Sequence, residues 1–170
     1  MIIKNKTIAA DEWTVLRLGE NDTPNGIVVP NGKIIMPLKV WQAQRDVLKA
    51  RADLGVWLAG DERADDLKND LARFAVIAVD FPKFADGRGY TIARHLRTRL
   101  GYAGELRAIG DVLRDQMFYL QRVGFDAFAT RSDRDIGEAL KGLNDFSVTY
   151  QASSDERLPL FRRVQRGGGL

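Results

Sequence analysis

The sequence predicts a mixed α/β fold built on a mainly parallel sheet. Four or five short apolar runs alternate with amphipathic helical stretches between residues 55 and 151, and strands that alternate with helices pair in parallel through right-handed crossovers. The inner runs are apolar on both faces, which is typical of a sheet covered by helices on both sides. An open doubly wound sheet and part of a TIM barrel both fit this pattern, whereas a complete barrel needs about 250 residues and the chain has 170.

Residues 1–36 are predicted to form an N-terminal antiparallel β element. Thr14 to Leu18 has strand composition, and residues 26–36 read G-I-V-V-P-N-G-K-I-I-M. Two β-branched runs around Pro30-Asn31-Gly32 predict a β-hairpin, because Asn-Gly tolerates the positive φ that tight hairpin turns need.

Residues 37–151 are predicted to form the βα body, in one domain with the N-terminal element. Pro37 suits the first turn of a helix that carries Val40, Trp41 and Leu48 at helical spacing. The predicted strands cover residues 55–60, 75–81, 105–110, 125–130 and 148–151. The predicted helices between them cover residues 64–74, 90–100, 111–123 and 134–143. Residues 152–170, with serine, proline and glycine and several arginines, predict an extended basic tail.

The composition predicts a soluble globular protein. Hydrophobic residues make up 45% and charged residues 29% of the chain, and no apolar run approaches the roughly 20 residues of a membrane span. The N-terminus lacks the apolar stretch of a signal peptide, so we expect a cytoplasmic location. The net charge is only +3, and the last fourteen residues hold four arginines and no acid, so the rest of the chain is close to neutral. The charge therefore does not indicate nucleic-acid binding.

Cysteine is absent and His95 is the single histidine. The chain therefore has no disulfide, no thiolate zinc site, no cysteine nucleophile and no cysteine-ligated iron–sulfur cluster. A metal would have to bind carboxylates, which suits magnesium or calcium, and no metal or other cofactor is predicted.

The C-terminal ends of the predicted strands carry most of the candidate chemistry. Loops that follow parallel strands gather at one edge of the sheet, where ligands usually bind. Each of four strand ends has a carboxylate, and three also have an arginine. The candidate residues for binding an anion or a partner protein there are Asp80, Lys83, Asp86, Arg88, Gly89, Tyr90, Asp111 and Arg114.

The loop between Asp80 and Tyr90 has two interpretations. Free N–H groups after Gly89 could bind phosphate, sulfate or a carboxylate, with Lys83 or Arg88 supplying charge. The stretch lacks the later glycine of a Rossmann fingerprint and the lysine of a Walker A loop. In the structural alternative, the segment containing Asp86 is simply a turn and Arg88 pairs with a nearby carboxylate.

Asp111 and His95 also allow two roles each. Asp111 follows a glycine and precedes a helical pattern, so it is predicted to be the N-cap of that helix, and its alternative is a place in the strand-end edge beside Asp80. His95 could act as an acid or base, but its position about a turn and a half into the helix favours a surface or packing role.

Two further stretches suggest contacts with other molecules. The helix at residues 111–123 is apolar around much of its circumference, which indicates self-association. Phe161 to Val164 carries two adjacent arginines and could dock on an acidic partner, although a solvated end is the simpler interpretation.

Three segments resemble a bacterial protein family. They read F-P-K-F-A-D-G-R-G-Y-T-I-A-R-H-L-R at 81–97, G-E-L-R-A-I-G-D-V-L-R-D-Q at 104–116 and R-V-G-F-D-A-F at 122–128. In this order and spacing they are similar to a family of unknown function often labelled as an oxidoreductase involved in sulfite reduction, encoded beside sulfite or nitrite reductase. The family offers no established catalytic residues.

The resemblance implies a role in sulfate assimilation and cysteine biosynthesis. We expect an accessory protein of sulfite reduction that binds an anion or the partner reductase. The alternative is a small α/β enzyme that acts on a sulfur oxyanion or a phosphorylated metabolite, with Asp80 or Asp111 as acid or base. A flavin or nicotinamide binder is a third interpretation, and the residues leave open whether the protein is catalytic.

Overall fold

The computed structural model describes residues 1–163, which form an eight-stranded, mostly parallel sheet curled into a half barrel, with helices packed against it. The strands are β1 (Ile2–Lys4), β2 (Thr7–Ala9), β3 (Thr14–Val15), β4 (Ile34–Pro37), β5 (Leu54–Leu58), β6 (Val76–Phe81), β7 (Glu105–Gly110) and β8 (Ala127–Phe128). The α-helices are α1 (Leu38–Leu48), α2 (Arg88–Thr98), α3 (Arg114–Val123), α4 (Ile136–Lys141) and α5 (Leu160–Arg163). None of the helices within residues 1–163 has the length and apolar character of a membrane span.

The strand order identifies which predicted architecture forms. The order is β2-β1-β8-β7-β6-β5-β4-β3, and β3 to β8 are parallel neighbours in chain order. Each crossover therefore steps one strand in the same direction, whereas a doubly wound sheet reverses direction at a switch point. The sheet follows the partial-barrel alternative, and β1 extends it by pairing antiparallel with β8.

The outer face of the half barrel carries the main core. Alternate residues of β6, namely Ile77, Val79 and Phe81, are buried in one cluster with the apolar residues of the helices, such as Leu96 and Met117. Successive strand residues point to opposite faces, so this alternation directs one half of each inner strand toward the helix layer.

The inner face is different, and here the expectation of helices on both sides is wrong. Its apolar cluster contains Ile35, Val76, Ala78 and Ile109, packed with Trp13 and other residues from strands and loops, and no helical residue belongs to it among residues 1–163. By the same alternation, the charged strand residues Asp80, Glu105 and Arg107 also lie on this face. The inner face therefore combines a small apolar cluster with buried charges, whereas the outer face is apolar and covered by helices.

The hairpin predicted over residues 26–36 does not form. Residues 26–33 contain no strand, and β4 runs parallel between β3 and β5. The loop carbonyls instead accept hydrogen bonds from side chains in and just after α1. Gln44 Nε2 donates to Pro24 O and Ile27 O, and Arg51 donates to Pro30 O and Gly32 O. These bonds satisfy backbone groups that a hairpin would otherwise have paired.

The antiparallel N-terminal hairpin is shorter and lies earlier in the chain. It joins β1 to β2 through Asn5 and Lys6, which have φ of 49° and 63°. Two central residues with positive φ are characteristic of the two-residue type I′ turn. Three-residue strands give too short an alternation to be recognised from sequence.

The predicted helix over residues 64–74 is replaced by two 3₁₀ turns, Ala64–Leu67 and Leu71–Arg73. Between them lies Asp70, whose buried carboxylate accepts hydrogen bonds from Trp41 Nε1 at 3.0 Å and from Arg45 Nη2 at 2.6 Å. These contacts direct Asp70 inward, toward α1, at the point where the two turns separate.

The C-terminal region also differs from prediction. Residues 148–151 form no strand, and the segment after them returns to the end of α3. Ser153 Oγ donates to Arg122 O at 2.6 Å, and Arg122 pairs with Asp155 at 2.9 Å. Residues 152–163 of the predicted tail are thus tied to α3 and include α5, while residues 164–170, with Val164 of the predicted docking segment, lie outside the described residues.

Candidate functional site

Asp80 occupies the inner face near the C-terminal end of β6. Both of its carboxylate oxygens accept hydrogen bonds from Arg17, at 2.7 and 3.2 Å. Arg17 follows β3, and its guanidinium lies over the Trp57 ring at 5.1 Å from the centroid. Trp57 Nε1 in turn donates to Leu16 O at 2.9 Å. The Arg17 side chain therefore extends across the inner face from the end of β3, passes over Trp57 of β5 and reaches Asp80 of β6.

Gly110 at the end of β7 makes room for Asp80. Its φ is +94°, and a Cβ there would lie 2.8 Å from Asp80 Oδ1 and 2.4 Å from Phe81 O. The positive φ and the close approach both require glycine. The next residue, Asp111, donates its N–H to Phe81 O at 2.7 Å, so the ends of β6 and β7 are held together.

Asp111 lies in this edge and is not the N-cap of α3, which corrects the capping prediction. The N-cap is Leu113, whose N–H donates to Gln116 Oε1 at 3.0 Å. Asp111 Oδ2 accepts from Phe84 N at 3.0 Å, and its Oδ1 accepts from Arg131 Nη1 at 3.1 Å. Asp111 therefore joins the loop after β6 to the loop after β8.

Asp86 and Arg88 form an ion pair with each other. Arg88 Nε donates to Asp86 Oδ1 at 3.0 Å and Nη2 donates to Oδ2 at 2.7 Å, while the Arg88 backbone N–H also donates to Oδ1 at 3.1 Å. The hydrogen bonds from Arg88 lower the pKa of Asp86 to about 2. This is the contact that the structural alternative predicts, and it places a carboxylate of the chain itself at the start of α2.

Gly89 and Tyr90 pack α2 against β6. A Cβ on Gly89 would lie 2.6 Å from Phe81 Cζ, so the absence of a side chain lets the helix approach the strand. The Tyr90 ring meets the Phe81 ring edge-on with centroids 5.6 Å apart, and burial raises the pKa of the Tyr90 hydroxyl. Lys83 is exposed in the preceding loop.

We call the loops after the C-terminal ends of β3 and β5–β8, together with the first residues of the helices that follow them, the strand-end edge. Four of its arginines share one property: each is more exposed than a carboxylate that holds it. The exposed fractions of the arginine and aspartate side chains are 50% and 11% for Arg17–Asp80, 59% and 15% for Arg88–Asp86, 44% and 32% for Arg114–Asp145, and 40% and 26% for Arg131–Asp111. Arg131 also pairs with Asp133, whose side chain is 54% exposed. The edge thus presents exposed guanidinium groups that are held in position by less exposed carboxylates.

A cleft of about 560 Å³ lies beside this edge, between residues 60–65 and α2. His95 lines it, with Nε2 at 3.4 Å from Asp65 Oδ1, so the histidine has a carboxylate partner that the sequence does not indicate. Glu62 also lines the cleft, and its Oε2 accepts from Ala59 N at 2.7 Å. Burial raises the pKa of the Glu62 carboxyl. Arg63, Arg88 and Arg99 supply positive charge to the same cleft.

The candidates predicted from sequence lie in three places. Asp80 and Asp111 lie at strand ends, Lys83 lies in the loop after β6, and the others lie at helix starts: Asp86, Arg88, Gly89 and Tyr90 at α2, and Arg114 at α3. Sequence reasoning does not find Arg17 or Trp57. Residues 1–36 are predicted to be antiparallel, so Arg17 is not expected at the parallel strand ends, and Trp57 lies within a predicted strand instead of after it. The arginine within the stretch of strand composition from Thr14 to Leu18 is the signal that could have found Arg17. Residues 1–163 contain no group of three or more histidine or acidic side chains arranged to hold a metal ion.

The fold and the charged edge define a class: α/β proteins with a curled, mainly parallel half barrel and paired arginines at the strand ends. The chain belongs to a family of bacterial proteins of unknown function, DUF934, whose model matches residues 55–161. The match confirms the family of unknown function that the three sequence segments indicate, and it covers β5 to β8 but not Arg17. No curated protein and no solved structure has a significant match to the chain.

Proposed function

We propose that this protein is a cytosolic accessory protein of assimilatory sulfite reduction, which binds an anion or the partner sulfite or nitrite reductase at the strand-end edge. The pathway comes from the family resemblance of residues 81–97, 104–116 and 122–128. The binding surface comes from one observation, the row of exposed arginines held by less exposed carboxylates.

Arginines that are already held by a carboxylate favour binding, because their side chains lose little conformational freedom when a partner binds. A guanidinium that already pairs with one carboxylate keeps further N–H donors for a second oxyanion. Complementary charge also accelerates encounter with an acidic partner and makes the association salt-dependent. These properties suit a protein that docks on another one, or that holds a small oxyanion.

The carboxylates of the edge have a positioning role in the structure. Both oxygens of Asp80 accept from Arg17, and both oxygens of Asp111 accept from Phe84 N and Arg131. Each contact holds an arginine or a loop backbone in place. These contacts support a binding role for the edge, in which Asp80 and Asp111 orient the arginines.

The association can be tested with a purified sulfite or nitrite reductase, the proposed partner. We expect binding at low salt that weakens as salt is raised, and a loss of affinity of at least about tenfold for Arg17→Ala. Arg45→Ala is the matched control, because Arg45 is 49% exposed and pairs with the buried Asp70 outside the edge. Absence of association at low salt, or equal losses in the two variants, would contradict the proposal.

The cleft beside α2 supports a second candidate function, a small enzyme that acts on a sulfur oxyanion or a phosphorylated metabolite. Asp65 can orient the His95 imidazole for acid–base work. The raised pKa of Glu62 favours its protonated form, and the arginines of the cleft can bind an anionic substrate.

A thermal-shift comparison tests this second candidate. Sulfite, sulfate, phosphate, flavin mononucleotide and nicotinamide cofactors are added to the wild type, to Arg88→Ala and to His95→Gln. The enzyme candidate predicts stabilisation by at least one anion and a smaller shift in both variants, because both residues line the cleft. No shift with any anion, or equal shifts in the variants, would argue against a ligand site there.

A further inference from the structure

An exposed cluster of aromatic rings covers the outer side of α3. Phe118 contacts Phe146 with ring centroids 4.7 Å apart and contacts Tyr119 at 5.4 Å, and Tyr119 lies 6.4 Å from Phe146. Tyr119 is 55% exposed and Phe146 is 54% exposed. Exposed rings that stack on one another form a contiguous apolar patch, and such patches mark interaction sites.

Two more exposed apolar side chains follow Phe146 in the chain. Val148 is 61% exposed and Tyr150 is 67% exposed, so alternate residues of this segment present large apolar side chains to solvent. The segment has the β-branched and aromatic composition of a strand, yet residues 145–151 lie in no strand. We call Phe118, Tyr119, Phe146, Val148 and Tyr150 the aromatic face.

We propose that the aromatic face pairs with the same face of a second copy of this chain. The charges beside the face favour this occupant. Arg114 lies one helical turn before Phe118, Asp145 directly precedes Phe146, and their side chains pair at 2.7 Å. The border of the face therefore carries both signs of charge. A nucleic acid or an anionic membrane would need a basic rim instead.

A two-fold symmetric dimer can pair the positive and negative charges at the border of the aromatic face. In an isologous interface each residue of one copy meets the complementary residue of the other, so Arg114 of one copy can face Asp145 of the second copy. The aromatic rings then lie at the centre and the ion pairs at the border, which is the usual division of an interface into apolar core and polar rim. Three exposed rings and Val148 supply that core, since an aromatic side chain can bury about 150–250 Å².

This interface is separate from the proposed reductase-binding function. The aromatic face lies on α3 and residues 146–150, whereas the strand-end edge depends on arginines such as Arg17 and Arg131. The two surfaces share the ion pair of Arg114, the first residue of α3, with Asp145. A dimer formed through the aromatic face leaves Arg17 and Asp80 on the inner face of each half barrel, so failure of one proposal does not decide the other.

Sedimentation equilibrium of the full chain over a range of concentrations tests the proposal. We expect a reversible dimer whose dissociation constant rises about 30-fold or more in Phe146→Asp and in Tyr119→Asp, because both replace a ring at the interface centre with a charge. Both sites are exposed, and circular dichroism checks that each variant is folded. Val47→Asp is the matched control, since Val47 is 79% exposed but lies on α1, and it should dimerise like the wild type.

Two results would overturn the proposal. The first is a wild-type protein that stays monomeric at every concentration. The second is a dimer that Phe146→Asp and Tyr119→Asp leave as tight as Val47→Asp does, which would place the interface elsewhere on the molecule.

Discussion

At the residue scale, Arg107 is the main buried charge of the inner face. Its side chain is 1% exposed, and it pairs with Glu105 at 2.7 Å and with Asp11 at 2.8 Å. Lys4 reaches the other oxygen of Glu105 at 2.7 Å. Asp11 belongs to the segment between β2 and β3, so Arg107 fixes this segment to β7 across the inner face.

Removal of Arg107 should destabilise the protein strongly. In Arg107→Ala the carboxylates of Glu105 and Asp11 lose the guanidinium that compensates them, and breaking a buried pair costs about 3–5 kcal/mol. Urea unfolding followed by tryptophan fluorescence measures the change. The exposed Arg99 provides the control, for which Arg99→Ala should change the free energy of unfolding by less than about 0.5 kcal/mol. Similar small values for both variants would show that the buried network adds little.

Glu62 gives a prediction for pH dependence. Burial raises its folded-state pKa above the ordinary 4.5, so the folded protein holds this proton more tightly than the unfolded chain does. The resulting stability is complete below the unfolded pKa and is lost as pH rises through the folded pKa. Glu62→Gln should therefore stabilise the protein at pH 7 and leave it unchanged at pH 3.

Urea unfolding of Glu62→Gln at both pH values checks this sign. The glutamine Oε1 can still accept from Ala59 N, so the hydrogen bond is retained. Glu20→Gln, at an exposed position, controls for removing one negative charge. A variant that is less stable than the wild type at pH 7 would show that the Glu62 carboxylate is favourably placed in the folded protein.

The residue scale also shows how far the candidate site follows from sequence. Asp80 and Asp111 can be placed at strand ends because the strands before them are apolar and bounded by glycine or loop residues. Their partners cannot be found in the same way. Arg17 lies 63 positions before Asp80, and only the curl of the sheet brings β3 close enough for the pair to form.

At the element scale, local pattern predicts the inner strands and the longer helices well. The predicted strand over residues 105–110 matches β7. A helix forms after β4 as predicted, although Pro37 is its N-cap and does not lie in its first turn. Elements that depend on distant contacts are not predicted. The expected hairpin at residues 26–36 is a loop, whose backbone carbonyls accept hydrogen bonds from the side chains of Gln44 and Arg51. Such side-chain bonds to a distant backbone leave no periodic signal in the sequence.

The contact between α2 and β6 gives a prediction for two glycines. A Cβ on Gly89 would meet Phe81 Cζ at 2.6 Å and Val79 Cγ1 at 3.0 Å, whereas a Cβ on Gly87 would meet nothing within 4 Å. Gly89→Ala should lower the free energy of unfolding by about 1–3 kcal/mol through overpacking, and Gly87→Ala should change it little. Thermal and urea unfolding of the two variants measure the difference. Equal stability of the two would mean that α2 can move away from β6 without cost.

At the scale of the whole molecule, the half barrel gathers the loops after β5–β8 on one side. Parallel strands in chain order place their C-terminal ends along one curved edge, and the paired arginines of that edge come from several different loops. This convergence can be predicted from sequence, because it follows from parallel pairing alone. The strand order and the curl of the sheet cannot be predicted in the same way, since each crossover could place the next strand on either side of the previous one.

Hydrogen exchange of the chain, alone and with a sulfite or nitrite reductase, tests the proposal that the strand-end edge is the binding surface. We expect slower amide exchange in residues 82–87, 111–113 and 129–135 when the reductase is present, with little change in α1. Protection confined to α1 or to residues 146–150, or no protection at low salt, would contradict it.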